Sequence, residues 1–76
     1  MSRYTENSGR YRVEYGYEAD YGGLYIDVYD REGARPDLPV VFRDNFIPAE
    51  RLTKAEAIRI GQRYGARKIA SVLRKL

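Results

Sequence analysis

The sequence contains no cysteine and no histidine, and each absence removes a class of function. Without cysteine there is neither a disulfide to staple the chain nor a thiolate to hold a structural zinc ion. Without histidine the side chain that most often serves as a general base is missing. A serine or threonine nucleophile would then depend on a lysine or a carboxylate for activation. We therefore expect no enzymatic activity, no metal site and no cofactor.

Long hydrophobic runs are also missing. No apolar stretch approaches the ~18 residues that a membrane-spanning helix requires, and the polar start, residues 1–7, lacks the apolar core of a signal peptide. We expect a cytoplasmic protein that does not contact a membrane. A chain of 76 residues has the size of one domain, and such a small domain buries only about 60% of the surface of its unfolded chain.

The net charge of +3 hides an asymmetry between the two halves of the chain. Residues 1–37 carry 5 basic and 8 acidic side chains, a net charge of −3, whereas residues 38–76 carry 9 basic and 3 acidic ones, a net charge of +6. A basic half is typical of proteins that bind nucleic acid. An acidic sheet that packs against a basic helix would produce the same division, so both interpretations stay open.

Two runs of alternating apolar and polar side chains predict a β-hairpin. In residues 10–19 the apolar face comprises Tyr11, Val13, Tyr15 and Tyr17. In residues 24–30 it comprises Leu24, Ile26 and Val28. Because glycine adopts positive φ without a steric penalty, Gly22 and Gly23 favour a turn between the two runs.

The register of this hairpin follows from packing and charge. A four-residue loop over residues 20–23, with Tyr15 opposite Val28, keeps the two apolar rows on one face. A tighter turn would set Glu18 directly opposite Asp27, and like charges in that position destabilise a sheet. We therefore predict the longer loop.

A short third strand is predicted at residues 40–42. Pro36 and Pro39 cannot donate ladder hydrogen bonds, so this strand should lie at an edge of the sheet. Residues 1–9 are polar and aperiodic, which indicates a flexible N-terminal arm. The segment after the third strand should bring Phe46, Ile47 and Leu52 beneath the helix that follows, with a brief helical turn from Pro48.

The last third of the chain predicts one long helix over residues 53–76. Thr53 and Glu56 match a capping box, in which the two side chains satisfy free backbone N–H groups at the start of a helix. One broad side of this helix is mostly apolar. Its members are Ala55, Ile58, Gly61, Gln62, Gly65, Ile69, Val72, Leu73 and Leu76.

Gly61 and Gly65 need an explanation, because each costs about 1 kcal/mol relative to alanine inside a helix. We interpret them as room for the helix backbone to approach the tyrosine rings of the sheet. The alternative is a helix-turn-helix broken at Gly65. Since the apolar side runs on without interruption and no residue after Gly65 offers a new cap, a single continuous or slightly bent helix is favoured.

Together these segments predict an α+β fold. After the arm of residues 1–9, residues 10–76 form one ββ(β)α domain, in which one long C-terminal helix packs on a three-stranded antiparallel sheet. The predicted register leaves Tyr25 and Tyr29 on the outer face of the hairpin. Tyrosine has a high strand propensity, but eight tyrosines in so short a chain favour a contact surface.

The exposed side of the helix is the other candidate surface. Arginines dominate it, and an aliphatic and an aromatic residue beside them resemble the anchors of a protein interface. The predicted partner-binding residues are Tyr25, Tyr29, Arg59, Ile60, Arg63, Tyr64, Arg67 and Arg74.

Two hypotheses for function follow. In the first, a small non-catalytic protein occupies the surface of a protein or nucleoprotein partner, as inhibitors encoded by phages and other mobile elements do. In the second, the arginine face of the helix binds nucleic acid phosphates, and Tyr25 and Tyr29 stack on bases. Acidic neighbours such as Asp27 count against stacking. Homodimerisation through the same tyrosines is a third alternative.

Overall fold

The computed structural model describes residues 2–18, 23–42 and 52–76 of the chain. In chain order these residues form strands β1 Ser2–Ser8, β2 Tyr11–Glu18, β3 Gly23–Asp30 and β4 Pro39–Phe42, then helices α1 Lys54–Arg63 and α2 Ile69–Arg74. The strands lie side by side in sequential order and every neighbouring pair is antiparallel. The fold is α+β as predicted, but the described residues contain four strands rather than three and two helices rather than one.

The additional strand comes from residues that the sequence predicted to be a flexible arm. β1 pairs with β2 along its full length, from Ser2 opposite Tyr17 to Ser8 opposite Tyr11. The prediction was wrong because an edge strand with both faces largely exposed needs no apolar alternation. Most of its side chains are exposed, so periodicity carries no signal there.

The hairpin of β2 and β3 differs from the predicted register by two residues. Tyr15 lies opposite Ile26 rather than Val28. A shift by two residues keeps every side chain on its predicted face, but it sets Glu14 directly opposite Asp27. That like-charge pair is offset by Arg12, whose Nη2 lies 3.2 Å from the Glu14 carboxylate. The loop between Glu18 and Gly23 lies outside the described residues.

Among the described strands β4 lies at an edge of the sheet, the position predicted from its prolines. Pro39 is the first residue of this strand and the register shifts beside it, between Val28 and Tyr29. Leu52 is 8% exposed and belongs to the core, as expected. The expectations for Phe46, Ile47 and the turn at Pro48 lie outside the described residues.

α1 begins at the predicted cap. The Glu56 backbone N–H donates to the Thr53 hydroxyl at 3.1 Å, and Thr53 has the extended backbone of an N-cap residue. α1 packs on β3, while α2 packs on β2 and against α1. In the described residues neither helix is long and apolar enough to cross a membrane.

The single continuous helix was a wrong prediction. Gly65 has φ +89°, a left-handed conformation that ends helices, and its N–H donates to the Gln62 carbonyl at 3.1 Å. α2 has no cap from its own segment. Instead the Lys68 N–H donates to both carboxylate oxygens of Glu6 at 3.1 Å, so the cap comes from β1.

This break changes which helical residues are buried. Ala57 and Ala66 are fully buried, whereas Ala55 and Gln62, which were predicted to be buried, are exposed. Gly61 faces Ile69 of α2 rather than the tyrosines of the sheet. The core therefore joins both helices to the sheet and comprises Val13, Tyr15, Ile26, Val28, Leu52, Ala57, Ala66, Ile69 and Leu73.

Candidate functional site

A groove of about 340 Å³ runs beside α1 at the β4 side of the molecule. We call it the α1–β4 groove. It is lined by Val41, Glu56, Arg59, Ile60 and Arg63. Four of these residues come from α1 at the spacing that places side chains on one face, and Val41 comes from the helix side of β4, opposite Val28 of the core.

The groove combines positive charge with apolar surface. Arg59 and Arg63 are exposed, whereas Ile60 and Glu56 are half-buried. Between described residues the ion pairs join Arg10 to Asp30, Arg12 to Glu14 and Arg35 to Asp37. Neither groove arginine takes part in them. Both arginines and the Ile60 side chain line the same groove, so positive charge and apolar surface lie side by side there.

Tyr64 does not join this groove. It is half-buried and its ring packs edge-to-face on Tyr11, with the ring centroids 4.8 Å apart. That geometry is favourable for aromatic pairs. The predicted interface anchor is therefore part of the contact between the end of α1 and the sheet.

Arg67 and Arg74 are exposed but do not line the groove. Both follow the turn at Gly65, so they do not continue the row of arginines on α1. The continuous arginine face predicted from one helix is thus divided into a part on α1 and a part on the turn and α2.

Tyr25 is not an exposed contact residue. It is 4% exposed and lies opposite Gly16, which has no side chain to displace the ring. The Arg3 Nε–H donates to the Tyr25 hydroxyl at 3.0 Å, and the guanidinium carbon lies 5.5 Å from the ring centroid. β1, which the sequence did not predict, thus covers this tyrosine.

Tyr29 is half-buried beneath a similar cation–π contact. The Arg12 guanidinium carbon lies 4.4 Å from the centroid of the Tyr29 ring. Burial raises the pKa of the Tyr29 hydroxyl, and the charge of Asp27 raises it further. The outer face of the sheet therefore pairs its tyrosines with its own arginines, and it offers a partner much less tyrosine surface than predicted.

The carboxylates of Asp30 and Glu6 connect elements of the fold rather than a binding site. Asp30, 9% exposed, accepts hydrogen bonds from Arg10 Nε and Nη2 at 2.8 and 2.7 Å. The hydrogen bond from the Arg10 side chain lowers the pKa of Asp30, and the backbone N–H of Glu32 adds to this effect. Glu6 accepts the Tyr15 hydroxyl at 2.7 Å. The described residues contain no group of three or more side chains suited to metal binding.

Sequence reasoning missed the β4 side of the groove. Val41 lines the groove beside the arginines, and the nearby Leu38 and Val40 are 46% and 56% exposed. The signal was present in the sequence, because Pro39 begins a short strand without charged residues at a predicted sheet edge. An uncharged edge strand is an available pairing surface.

No known protein family, no curated protein and no solved structure matches this chain.

Proposed function

We propose that this chain is a small cytoplasmic binding protein without catalytic activity, which occupies the surface of a protein partner through the α1–β4 groove. The observation that carries the proposal is the convergence of Arg59, Ile60 and Arg63 in that groove. Exposed arginines around an apolar centre are typical of protein interfaces. A protein of this kind acts by obstruction, in the manner of the small inhibitors encoded by phages and other mobile elements.

Affinity capture tests the proposal. Tagged wild-type protein and the variant Arg59→Glu/Arg63→Glu are used to capture proteins from the cells that make the chain, and captured proteins are quantified by mass spectrometry. Arg74→Glu is the control, because it reverses the charge of one arginine on exposed surface outside the groove. A protein that binds the α1–β4 groove should be captured by the wild type and by the control, but not by the double variant.

Nucleic acid binding is the competing function, and the basic surface of the helices is what favours it. Residues 52–76 contain seven basic side chains and one acidic one. Against it, Tyr25 is buried and cannot stack on a base. Fluorescence titration with duplex and single-stranded oligonucleotides at two salt concentrations separates the two functions, because phosphate contacts make binding strongly salt-dependent. Salt-dependent oligonucleotide binding without any groove-dependent protein partner would overturn the proposal.

A further inference from the structure

β4 has a neighbour on one side only within the described part of the chain. β3 pairs with it on that side, and no described strand lies on the other. The backbone N–H and C=O groups along such an edge are a template for another strand. In recognition by strand addition, main-chain hydrogen bonds supply affinity and alternate side chains supply specificity.

The opposite edge of the sheet, β1, is less suited to strand addition. It carries the charged residues Arg3 and Glu6, and charges on an edge strand discourage pairing with another chain. Glu6 and Arg3 are also engaged within the fold, with Tyr15 and Tyr25 respectively. β4 carries no charged side chain, and because Pro39 has no N–H to donate, an added strand would pair with residues 40–42.

A strand added to β4 would place every second side chain in the α1–β4 groove. Val41 points to the helix side and lines that groove, so the neighbouring positions of an added strand lie beside α1. Alternate side chains of a strand are about 6.7 Å apart. Arg59 and Arg63, four residues apart, are separated by about 6 Å along the helix, so the two spacings are similar.

Charge selects the occupant of these positions. The groove is lined by two arginines and one carboxylate, that of Glu56 in the first turn of α1. We infer that an extended acidic peptide segment of the protein partner pairs with β4 as a fifth strand and directs alternate carboxylates at Arg59 and Arg63. This inference rests on the proposed function and adds the chemistry and conformation of the segment that is bound.

Synthetic peptides test the inference directly. The probe is a fluorescein-labelled peptide Ser-Val-Asp-Val-Asp-Val-Ser, which is titrated with the protein and followed by fluorescence anisotropy. A peptide with lysine in place of aspartate is the charge control. Two further peptides carry N-methyl groups on the odd or on the even residues, because in a strand these two sets of N–H groups point to opposite sides.

The expected result is binding of the acidic peptide, no binding of the lysine peptide, and loss of binding for one of the two N-methylated peptides only. Arg59→Glu/Arg63→Glu should weaken binding about tenfold or more, since it converts two attractions into repulsions. Arg74→Glu should change it less than about twofold, because this residue lies outside the groove. Circular dichroism confirms that both variants are folded.

Several results would overturn strand addition at β4. If both N-methylated peptides bind as tightly as the unmethylated acidic peptide, charge alone holds the peptide. If the wild type and the double variant bind the acidic peptide equally, the peptide binds outside the groove. A concentration-dependent dimer in light scattering that the peptide does not dissociate would show a second copy of this chain on the edge. If protein capture depends on the groove but the acidic peptide does not bind, this inference fails and the proposed function stands.

Discussion

The Glu6 carboxylate connects three elements of the fold. It accepts the Tyr15 hydroxyl at 2.7 Å and the Lys68 N–H at 3.1 Å. The first contact reaches from β1 to β2, and the second spans 62 residues to the start of α2. Helix starts leave backbone N–H groups without partners, and here a strand residue supplies the acceptor that the helix's own segment lacks.

Glu6→Ala should therefore destabilise the protein by about 1–2 kcal/mol, because it removes a helix cap and leaves the Tyr15 hydroxyl without its acceptor. Urea unfolding followed by circular dichroism measures the effect. Glu6→Gln keeps an oxygen acceptor and should cost less. Thr53→Ala removes the local cap of α1, so its effect on the free energy of unfolding shows what the loss of a conventional cap costs. A Glu6→Ala variant as stable as the wild type would show that solvent caps α2 equally well.

Asp30 gives the protein an acid-sensitive contact. Its pKa is lowered in the folded state, first by the hydrogen bond from Arg10. A carboxyl whose folded pKa lies below its unfolded value contributes stability above the unfolded value, about 3.9, and that contribution disappears as pH falls through the folded pKa. The stability of the wild type should therefore decrease below about pH 4.

Asp30→Asn should lower stability near neutral pH and flatten this acid dependence, measured as thermal midpoints across the pH range. Asp37→Asn is the matched control. Asp37 pairs with Arg35 at 3.6 Å, but both side chains are 69% exposed, and such exposed pairs contribute little. Acid profiles that coincide for wild type and Asp30→Asn would mean that other carboxyls cause the decrease.

The turn between α1 and α2 depends on one glycine. At Gly65, with φ +89°, a Cβ would collide with the Ser8 side chain of β1. Gly65→Ala should therefore lower the free energy of unfolding by more than the ~1 kcal/mol that an unfavourable positive φ costs. Gly9→Ala is a matched control, because Gly9 has φ +52° and nothing lies within 4 Å of a Cβ added there.

Chemical denaturation of both variants separates backbone strain from the collision. Ser8→Gly removes the atoms that the new methyl would meet, so Gly65→Ala should cost less in a Ser8→Gly background than in the wild type. If Gly65→Ala and Gly9→Ala cost the same amount, the close approach of β1 to the turn does not contribute. If Gly65→Ala does not change the free energy of unfolding, residue 65 does not adopt the left-handed conformation.

Elements whose signals are local were predictable from the sequence. Alternation identified β2 and β3, the prolines placed β4 at an edge, and the capping box fixed the start of α1. In the same way, α-helical spacing placed Arg59, Ile60 and Arg63 together, and the structure sets them in one groove. Each of these inferences uses residues that are close together in the chain.

Elements that depend on distant partners were not predictable in this way. β1 is ordered by pairing with β2, and its polar sequence shows no period because it lies at the edge. α2 starts where Glu6 supplies a cap, so inspection of residues after Gly65 alone found none. These two errors have one origin, since an arm that is assumed flexible cannot cap a helix. The burial of Tyr25 was missed for the same reason, because Arg3 of β1 covers it.

At the scale of the whole molecule, β1 is expected to be indispensable. It carries the cap of α2, places Tyr4 on the ring of Tyr15 with centroids 5.8 Å apart, and covers Tyr25. Single domains of this size have only about 3–5 kcal/mol of net stability. Loss of a whole strand together with a helix cap exceeds what such a margin tolerates.

Deletion of residues 1–8 should therefore leave the chain largely unfolded at room temperature, with collapsed amide dispersion in NMR spectra and no cooperative thermal transition. Deletion of Leu76, which is 41% exposed at the other end of the chain, should leave the midpoint nearly unchanged. A synthetic peptide of residues 1–9 added to the truncated protein should restore the fold, and the same peptide with Glu6→Ala should restore it less well.

A truncated protein that unfolds cooperatively at the wild-type midpoint would show that these residues form the flexible arm that their composition indicates. In that case the cap of α2, the cover of Tyr25 and the collision at Gly65 would all have to be abandoned, because each depends on β1 lying where the structure places it.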